Sequence, residues 1–173
     1  MNLTYRKCTI DDLEILRELS CQTFRDTYGH LNSEANMKAY LEFAYDTSKL
    51  LKELSNSSTC FYFVYDSNKL AGFLKLNEHD AQTDIHDPLS LEIERIYLAR
   101  EFQGKGLGKA LINKVVELAT SSGKTYLWLG VWEKNDKAIS FYKKNGFYEF
   151  GKHTFIIGED EQTDFVMRKD LVF

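Results

Sequence analysis

Gln103-Gly104-Lys105-Gly106-Leu107-Gly108-Lys109 is the stretch on which the reading of the chain turns. It follows an apolar run, Leu91 to Leu98, with the character of a strand. It opens onto Leu107, Leu111, Val115 and Leu118 at helical spacing. Three glycines at alternate positions permit a tight turn and leave backbone amides uncovered by side chains. A helix N-terminus carries unpaired N–H groups and partial positive charge, and Lys105 and Lys109 add mobile cations beside it. The junction therefore suits an anionic phosphate. The plain alternative is a glycine-softened turn.

Two familiar phosphate motifs fail on spacing. A P-loop requires glycine five positions before Gly108 and Ser or Thr after Lys109, where Gln103 and Ala110 stand. A dinucleotide fingerprint requires a third glycine where Lys109 or Leu111 stands, and it opens a doubly wound domain rather than following antiparallel elements. What survives is Gln-x-x-Gly-x-Gly between a strand and a helix.

Outward from this stretch, Thr125 to Trp132 is a near-continuous apolar run, as in a strand buried on both faces. Strand, helix and strand in succession predict a right-handed parallel βαβ unit. Asn135 and Asp136 cap a further helix carrying Ala138, Ile139, Phe141 and Tyr142, closed by Asn145-Gly146. Phe147–Phe150, Thr154–Ile157 and Asp164–Arg168 then read as three strands, with Gly158 to Gln162 a polar connection between the last two.

Upstream, Leu3–Cys8 alternates as a strand, and Thr9 N-caps a helix that runs to about Thr27 and stops at Gly29. A second helix starts at Asn32 or Ser33, and a short third carries Leu50, Leu51 and Leu54. Thr59–Tyr65 and Leu70–Leu76 form a hairpin about Asp66-Ser67-Asn68, with Gly72 marking a bulge or a close backbone approach. The expected fold class is α/β with a mixed sheet and helices on its faces. Its strands are antiparallel at the N-terminal side, parallel in the centre and an antiparallel hairpin at the end, in one domain over residues 1–173.

A hydrophobic content of 43% with 14% aromatics fills a core and argues against disorder. No apolar run has the length of a membrane span, and Met1 to Lys7 lacks the apolar region of a secretory signal. Cys8, Cys21 and Cys60 have neither disulfide parity nor metal spacing, so a cytoplasmic protein with reduced thiols and no metal is expected. A net charge of −4 argues against nucleic-acid binding. Its distribution is more telling. Between Glu78 and Glu94 stand Glu78, Asp80, Asp84, Asp87, Glu92 and Glu94 with no basic residue until Arg95, and Arg100, Lys105 and Lys109 follow. Such a chain can hold a cationic ligand beside an anionic one; a solvated acidic loop is the ordinary alternative.

Residues Leu91 to Leu118, followed by Trp132-Glu133-Lys134-Asn135-Asp136-Lys137-Ala138-Ile139-Ser140-Phe141-Tyr142-Lys143-Lys144-Asn145-Gly146-Phe147, resemble the GCN5-related N-acetyltransferase superfamily. The resemblance implies that fold and acetyl-coenzyme A as donor. It places the pyrophosphate on the amides of Gln103, Gly104, Lys105, Gly106, Leu107, Gly108 and Lys109. The pantetheine arm would lie along Ile96, Tyr97 and Leu98, where the parallel strands splay. It further implies cofactor contacts at Asn135, Ala138, Tyr142 and Lys144. Arg100 stands where many relatives carry proline, which leaves the amides unaffected.

A hydroxyl beside the sulfur suits a general acid for the departing thiolate, which assigns Tyr142, against the alternative of a core aromatic. A strand amide, that of Leu98, suits the oxyanion. Glu92 and Glu94 share a strand face by spacing, and either can take the amine proton, the alternative being salt pairing with Arg95.

Phe24-Arg25-Asp26-Thr27-Tyr28, Leu31-Asn32 and Asn36-Met37-Lys38-Ala39-Tyr40-Leu41 resemble the PaiA-type bacterial polyamine N-acetyltransferases, implying spermidine or spermine as acceptor. Asp26, Tyr28, Glu34 and Glu92 are the acceptor-site candidates, in line with the acidic run. Two other readings stand beside this one. One is an acetyltransferase for another amine or a protein N-terminus; the other is a non-catalytic acetyl-coenzyme A sensor. The sequence leaves the oligomeric state open, a homodimer included.

Overall fold

The computed structural model describes residues 2–157 and 160–172, and for residues 155–157 and 160 the backbone alone. Strand β1 (Leu3–Lys7) leads through a 3₁₀ turn, Ile10–Asp12, into helix α1 (Leu13–Tyr28). Thr9 N–H donates to Asp12 Oδ2 at 2.8 Å, and Arg6 grips the same carboxylate with two bonds of 2.8 and 2.9 Å. Strand end and helix start are thereby tied together. Gly29 does not end α1 in a left-handed cap; with φ −59° it carries the chain into a 3₁₀ turn, Gly29–Leu31.

Helices α2 (Glu34–Ala44) and α3 (Thr47–Ser55) begin at Ser33 and Asp46, whose side chains accept from Asn36 N–H and Lys49 N–H. Strands β2 (Thr59–Asp66) and β3 (Lys69–Asn77) form the expected hairpin, with Ser67 and Asn68 both at positive φ as its tight turn requires. A Cβ on Gly72 would collide with the carbonyl of Tyr97 on the next strand, so the close approach read from that glycine is real. Strand β4 (Ser90–Leu98), helix α4 (Leu107–Ser121) and strand β5 (Tyr126–Trp132) make the parallel unit. Helix α5 (Asp136–Lys144) and strands β6 (Tyr148–Ile157) and β7 (Asp160–Asp170) complete the order.

The seven strands lie as β1-β2-β3-β4-β5-β7-β6, and among the described residues only β4 and β5 run parallel. The fold class expected from the sequence holds. The last third differs from expectation in one respect. Phe147–Phe150 and Thr154–Ile157 are not two strands but parts of β6, which absorbs an extra residue at Phe150: Glu149 faces Met167, and Gly151 already faces Val166. The bulge breaks the side-chain alternation that a sequence reading depends on. Asp160, Glu161 and Gln162, read as connection, belong to β7. Gly158 and Glu159 of that connection lie outside the described residues.

Two apolar layers sandwich the sheet. Leu107, Leu111, Ile112, Val115 and Ala119 of α4 pack with Ile139 and Tyr142 of α5 against Leu74, Leu91, Ile93, Leu127 and Leu129. On the opposite face Leu16 and Phe24 of α1, Met37 and Leu41 of α2 and Leu50 of α3 cover Phe61, Phe63 and Phe73. Truncating one of these fully buried leucines costs about 2–5 kcal/mol, so the layers hold the strands that position the site. Among the described residues no helix is long and apolar enough to cross a membrane.

Candidate active site

The parallel pair is short. β4 and β5 pair at Ser90–Tyr126, Leu91–Leu127 and Glu92–Trp128, and beyond these positions they diverge while β4 stays paired with β3 as far as Leu98. The second edge of β4 is therefore open over its last residues. Ala99 N–H donates to Ala71 O at 2.9 Å on the β3 side, so by strand alternation Leu98 turns its amide toward the opening. Leu98 O accepts from Gln103 Nε2 at 3.0 Å, which agrees with that orientation. The same alternation directs the backbone of Ile96 to the opening, and Tyr97 toward β3.

The glycine loop lies at the head of the divergence. Gly104 and Gly106 have φ of 73° and 82°, the left-handed region in which a side chain strains the backbone, and Gly106 is the N-cap of α4. No side chain caps that helix, and its first turn carries no acidic residue, so its amides remain available to an anion. Gln103, Lys105 and Lys109 are exposed there, whereas Leu107 is buried in the core. Gly108 has a different reason to be glycine. It lies within α4, and a Cβ there would stand 3.0 Å from Phe141 Cζ, so it lets α4 and α5 approach.

On α5, Asn135 Oδ1 accepts from Ala138 N–H at 3.1 Å, which leaves Ala138 no free amide to offer a ligand. The Tyr28 hydroxyl, whose pKa burial raises, lies close to Asn135 and so brings α1 to the start of α5. The Tyr142 ring packs edge-on against Phe141 and Phe147, and burial pushes its hydroxyl pKa up, with Tyr28 adding to the shift. Lys144 is exposed at the end of α5.

On the face opposite α4 and α5 lies a cavity of about 400 Å³. One wall is aromatic: Phe24 stacks on Tyr40 at 4.4 Å and meets Tyr28 at a tilt at 4.7 Å, and Tyr28 meets Trp132 edge-on at 6.3 Å. Its floor is β4. There Lys75 pairs with Arg95 and Leu76 with Ile93, so Glu94 is an inserted residue; Glu92, Glu94, Arg95 and Tyr97 consequently all line the cavity.

The two glutamates are in unlike surroundings. Glu94 pairs with Lys75 at 2.6 Å and Arg95 at 3.3 Å and accepts from Asn77; despite burial these cations hold its pKa near about 2. The alternative of salt pairing with Arg95 thus describes Glu94, within a cluster that Glu53 completes. Glu92 is 2% exposed, and burial, with Glu94 nearby, raises its pKa. Its Oε2 accepts from Asn77 Nδ2 and Thr83 N–H, both at 2.9 Å, and Oε1 accepts from the Thr83 hydroxyl. Three of roughly four acceptor positions are filled, leaving one on Oε1.

Tyr28 lines the cavity, but Asp26 does not: it is exposed on α1 and accepts from Gln22. Glu34 is likewise exposed, outside the cavity lining. The sequence reading missed His153 and Asp164, which line the far wall with Asp84. His153 and Asp164 face each other across the last hairpin, at equal distances from Gly158-Glu159. That symmetry was the available signal, and the division of β6 into two strands concealed it.

A family profile described as "Acetyltransferase (GNAT) family" matches residues 13–147. A Lactobacillus delbrueckii subsp. lactis protein named "Uncharacterized N-acetyltransferase in pepI 3'region" is 44% identical over 161 residues, 93% of each chain. A "Spermidine N(1)-acetyltransferase" of Thermoplasma acidophilum is 28% identical over 173 residues, 98% of each chain. The crystal structure of PaiA N-acetyltransferase from Thermoplasma acidophilum in complex with coenzyme A superposes with a TM-score of 0.78 at 28% identity, over 98% of this chain and 99% of that one. With its divergent parallel strands, open glycine loop and matching profile, the chain belongs to the GNAT family of acetyltransferases.

Proposed function

We propose that the chain moves an acetyl group from acetyl-coenzyme A to a primary amine of a polyamine such as spermidine or spermine, by direct attack in a ternary complex. The observation that carries the acceptor is the charge of the cavity. Asp84, Glu92, Glu94 and Asp164 line it against Arg95 and His153, beside an opening suited to the donor. Fixed carboxylates attract and hold a small polycation.

Coenzyme A fits the donor side: the open edge of β4 offers peptide-like groups at Ile96 and Leu98, and the loop from Gly104 to Lys109 leads into an uncapped helix N-terminus, whereas Gln103 N–H is already taken by Arg100 O at 3.3 Å. Lys144, exposed at the end of α5, is within the proposed phosphate set. The bound thioester supplies an activated acetyl group, whose transfer passes through an oxyanion and releases a thiolate. Leu98 N–H donates to the developing oxyanion. Tyr142, whose buried hydroxyl keeps its proton at neutral pH, protonates the sulfur. Glu92 accepts the amine proton at Oε1. Glu94, held near about 2, is too weak a base and positions Arg95 and Lys75 instead. Tyr28 and Trp132 bound the acceptor on its apolar side.

Thiol release from acetyl-coenzyme A, followed with polyamines, monoamines, amino acids and a peptide with a free N-terminus, tests this reading. Polyamines are expected to give the highest kcat/KM. A higher value for the peptide would assign an N-terminal acceptor, and cofactor binding without turnover of any amine would make the protein a sensor.

A further inference from the structure

The far wall of the cavity is short of hydrogen bonds. His153 Nε2 lies 3.6 Å from Asp164 Oδ2 and Nδ1 lies 3.6 Å from Asp84 Oδ2, too long for direct bonds. Asp164 is 8% exposed, and its Oδ1 has no hydrogen-bond partner; His153 Nδ1 is buried and equally unpartnered. Buried polar atoms in native proteins are nearly always satisfied, so two orphans on paired residues of one cavity wall point to a missing partner.

Its chemistry follows from the acceptors present. Two carboxylates, Asp164 and Asp84, flank His153, whose pKa Asp164 and then Asp84 raise, and an alkylammonium that the carboxylates can hold carries three N–H donors and one positive charge. Gly130 on β5 lets the pair lie against that strand: a Cβ there would stand 2.9 Å from His153 Cε1 and 3.2 Å from Asp164 Oδ2, so a larger residue would displace them. The group lines the same cavity as Glu92 and Glu94 of β4.

We propose that Asp84, His153 and Asp164 form a second ammonium subsite, which holds the non-reacting ammonium of a diamine or polyamine while the reacting amine lies at β4. The subsite rests on the polyamine reading and specifies how it is achieved. It selects against monoamines, which reach β4 but leave Asp164 unsatisfied.

The test compares putrescine with butylamine, two acceptors of equal carbon length that differ by one ammonium. In Asp164→Asn the KM for putrescine should rise about tenfold or more, with kcat little changed, because a buried charge partner is lost. The KM for butylamine should stay within about twofold. Asp84→Asn, at a half-exposed loop position, should shift putrescine in the same direction by less. Equal shifts for both amines, or no shift for putrescine in either variant, would overturn the subsite. Should the wild-type protein acetylate neither of these amines nor spermidine, the polyamine reading fails by itself. Calorimetric binding of putrescine then decides the subsite: tighter binding to the wild type than to Asp164→Asn supports it, and equal binding overturns it.

Discussion

Glu92 and Glu94 are two residues apart, line one cavity and share Asn77, yet isosteric substitution should affect them in opposite ways. The carboxyl of Glu94 is lowered from an ordinary 4.5 to about 2, chiefly by Arg95 and Lys75 working against burial. At about 1.4 kcal/mol per pH unit this corresponds to about 3 kcal/mol of folded-state stability, present at neutral pH. Because the folded pKa is depressed, that contribution is complete above 4.5 and disappears as the pH falls toward about 2. In Glu94→Gln, Lys75 keeps Glu53 at 3.0 Å and Arg95 keeps it at 3.6 Å, so the loss stays at the lower end of the range for a broken buried pair. The melting temperature should drop by about 6–12 °C at pH 7, and by much less at pH values near 2–3. Glu92 has the reverse sign. Its folded pKa is raised, so the ionised form costs stability above the ordinary carboxylate range, and Glu92→Gln relieves that cost while keeping one oxygen to accept from Thr83 N–H and Asn77. Its melting temperature should change little, while turnover falls by about 10²–10⁴. Thermal melts followed by tryptophan fluorescence, paired with thiol-release kinetics, separate the two. A stable but inactive Glu94→Gln protein beside an active Glu92→Gln protein would refute the assignment.

Three other outcomes are expected. Tyr142→Phe should lower kcat by about 10²-fold or more and leave the Kd for coenzyme A within a few-fold, since the hydroxyl acts on the leaving sulfur; an unchanged kcat removes Tyr142 as the acid. Gly106→Val forces a β-branched residue to φ 82° at the N-cap of α4 and should abolish measurable coenzyme A binding in calorimetry, with a stability cost of about 1–3 kcal/mol. Asp12, held at about 2 by Arg6, contributes about 1 kcal/mol after screening at the half-exposed arginine. Asp12→Asn should therefore melt lower at pH 7, with the difference shrinking as the pH falls from 3.8 toward about 2.

The sequence read most clearly where chemistry and periodicity coincide. The glycine loop, the parallel unit and the early hairpin follow from positive-φ requirements, apolar runs and turn residues that act within a few positions of one another. Gly108 was misread because a contact with Phe141, distant in the chain, sets its identity rather than a backbone turn. Glu92 and Glu94 share a strand face by simple alternation, and in the structure both do line one cavity, but the inserted residue places Arg95 there as well, which alternation does not foresee. Their difference in acidity depends on Lys75 and Glu53 from other elements, which no local pattern reveals. His153 and Asp164 were hidden for a related reason: the bulge at Phe150 interrupts the alternation of β6, and their convergence with Asp84 exists only once β5, β6, β7 and the loop before β4 are assembled. Asp26 shows the converse, a residue within a suggestive segment that the turn of α1 directs to solvent.

The claim that an acidic cavity selects a polycationic acceptor is tested most directly by competition in one vessel. Spermidine, butylamine and a peptide with a free N-terminus, at equal concentrations with limiting acetyl-coenzyme A, yield products in the ratio of their kcat/KM values. Mass spectrometry of the mixture should show acetylspermidine dominating. A mixture dominated by the acetylated peptide or by acetylated butylamine would contradict the account.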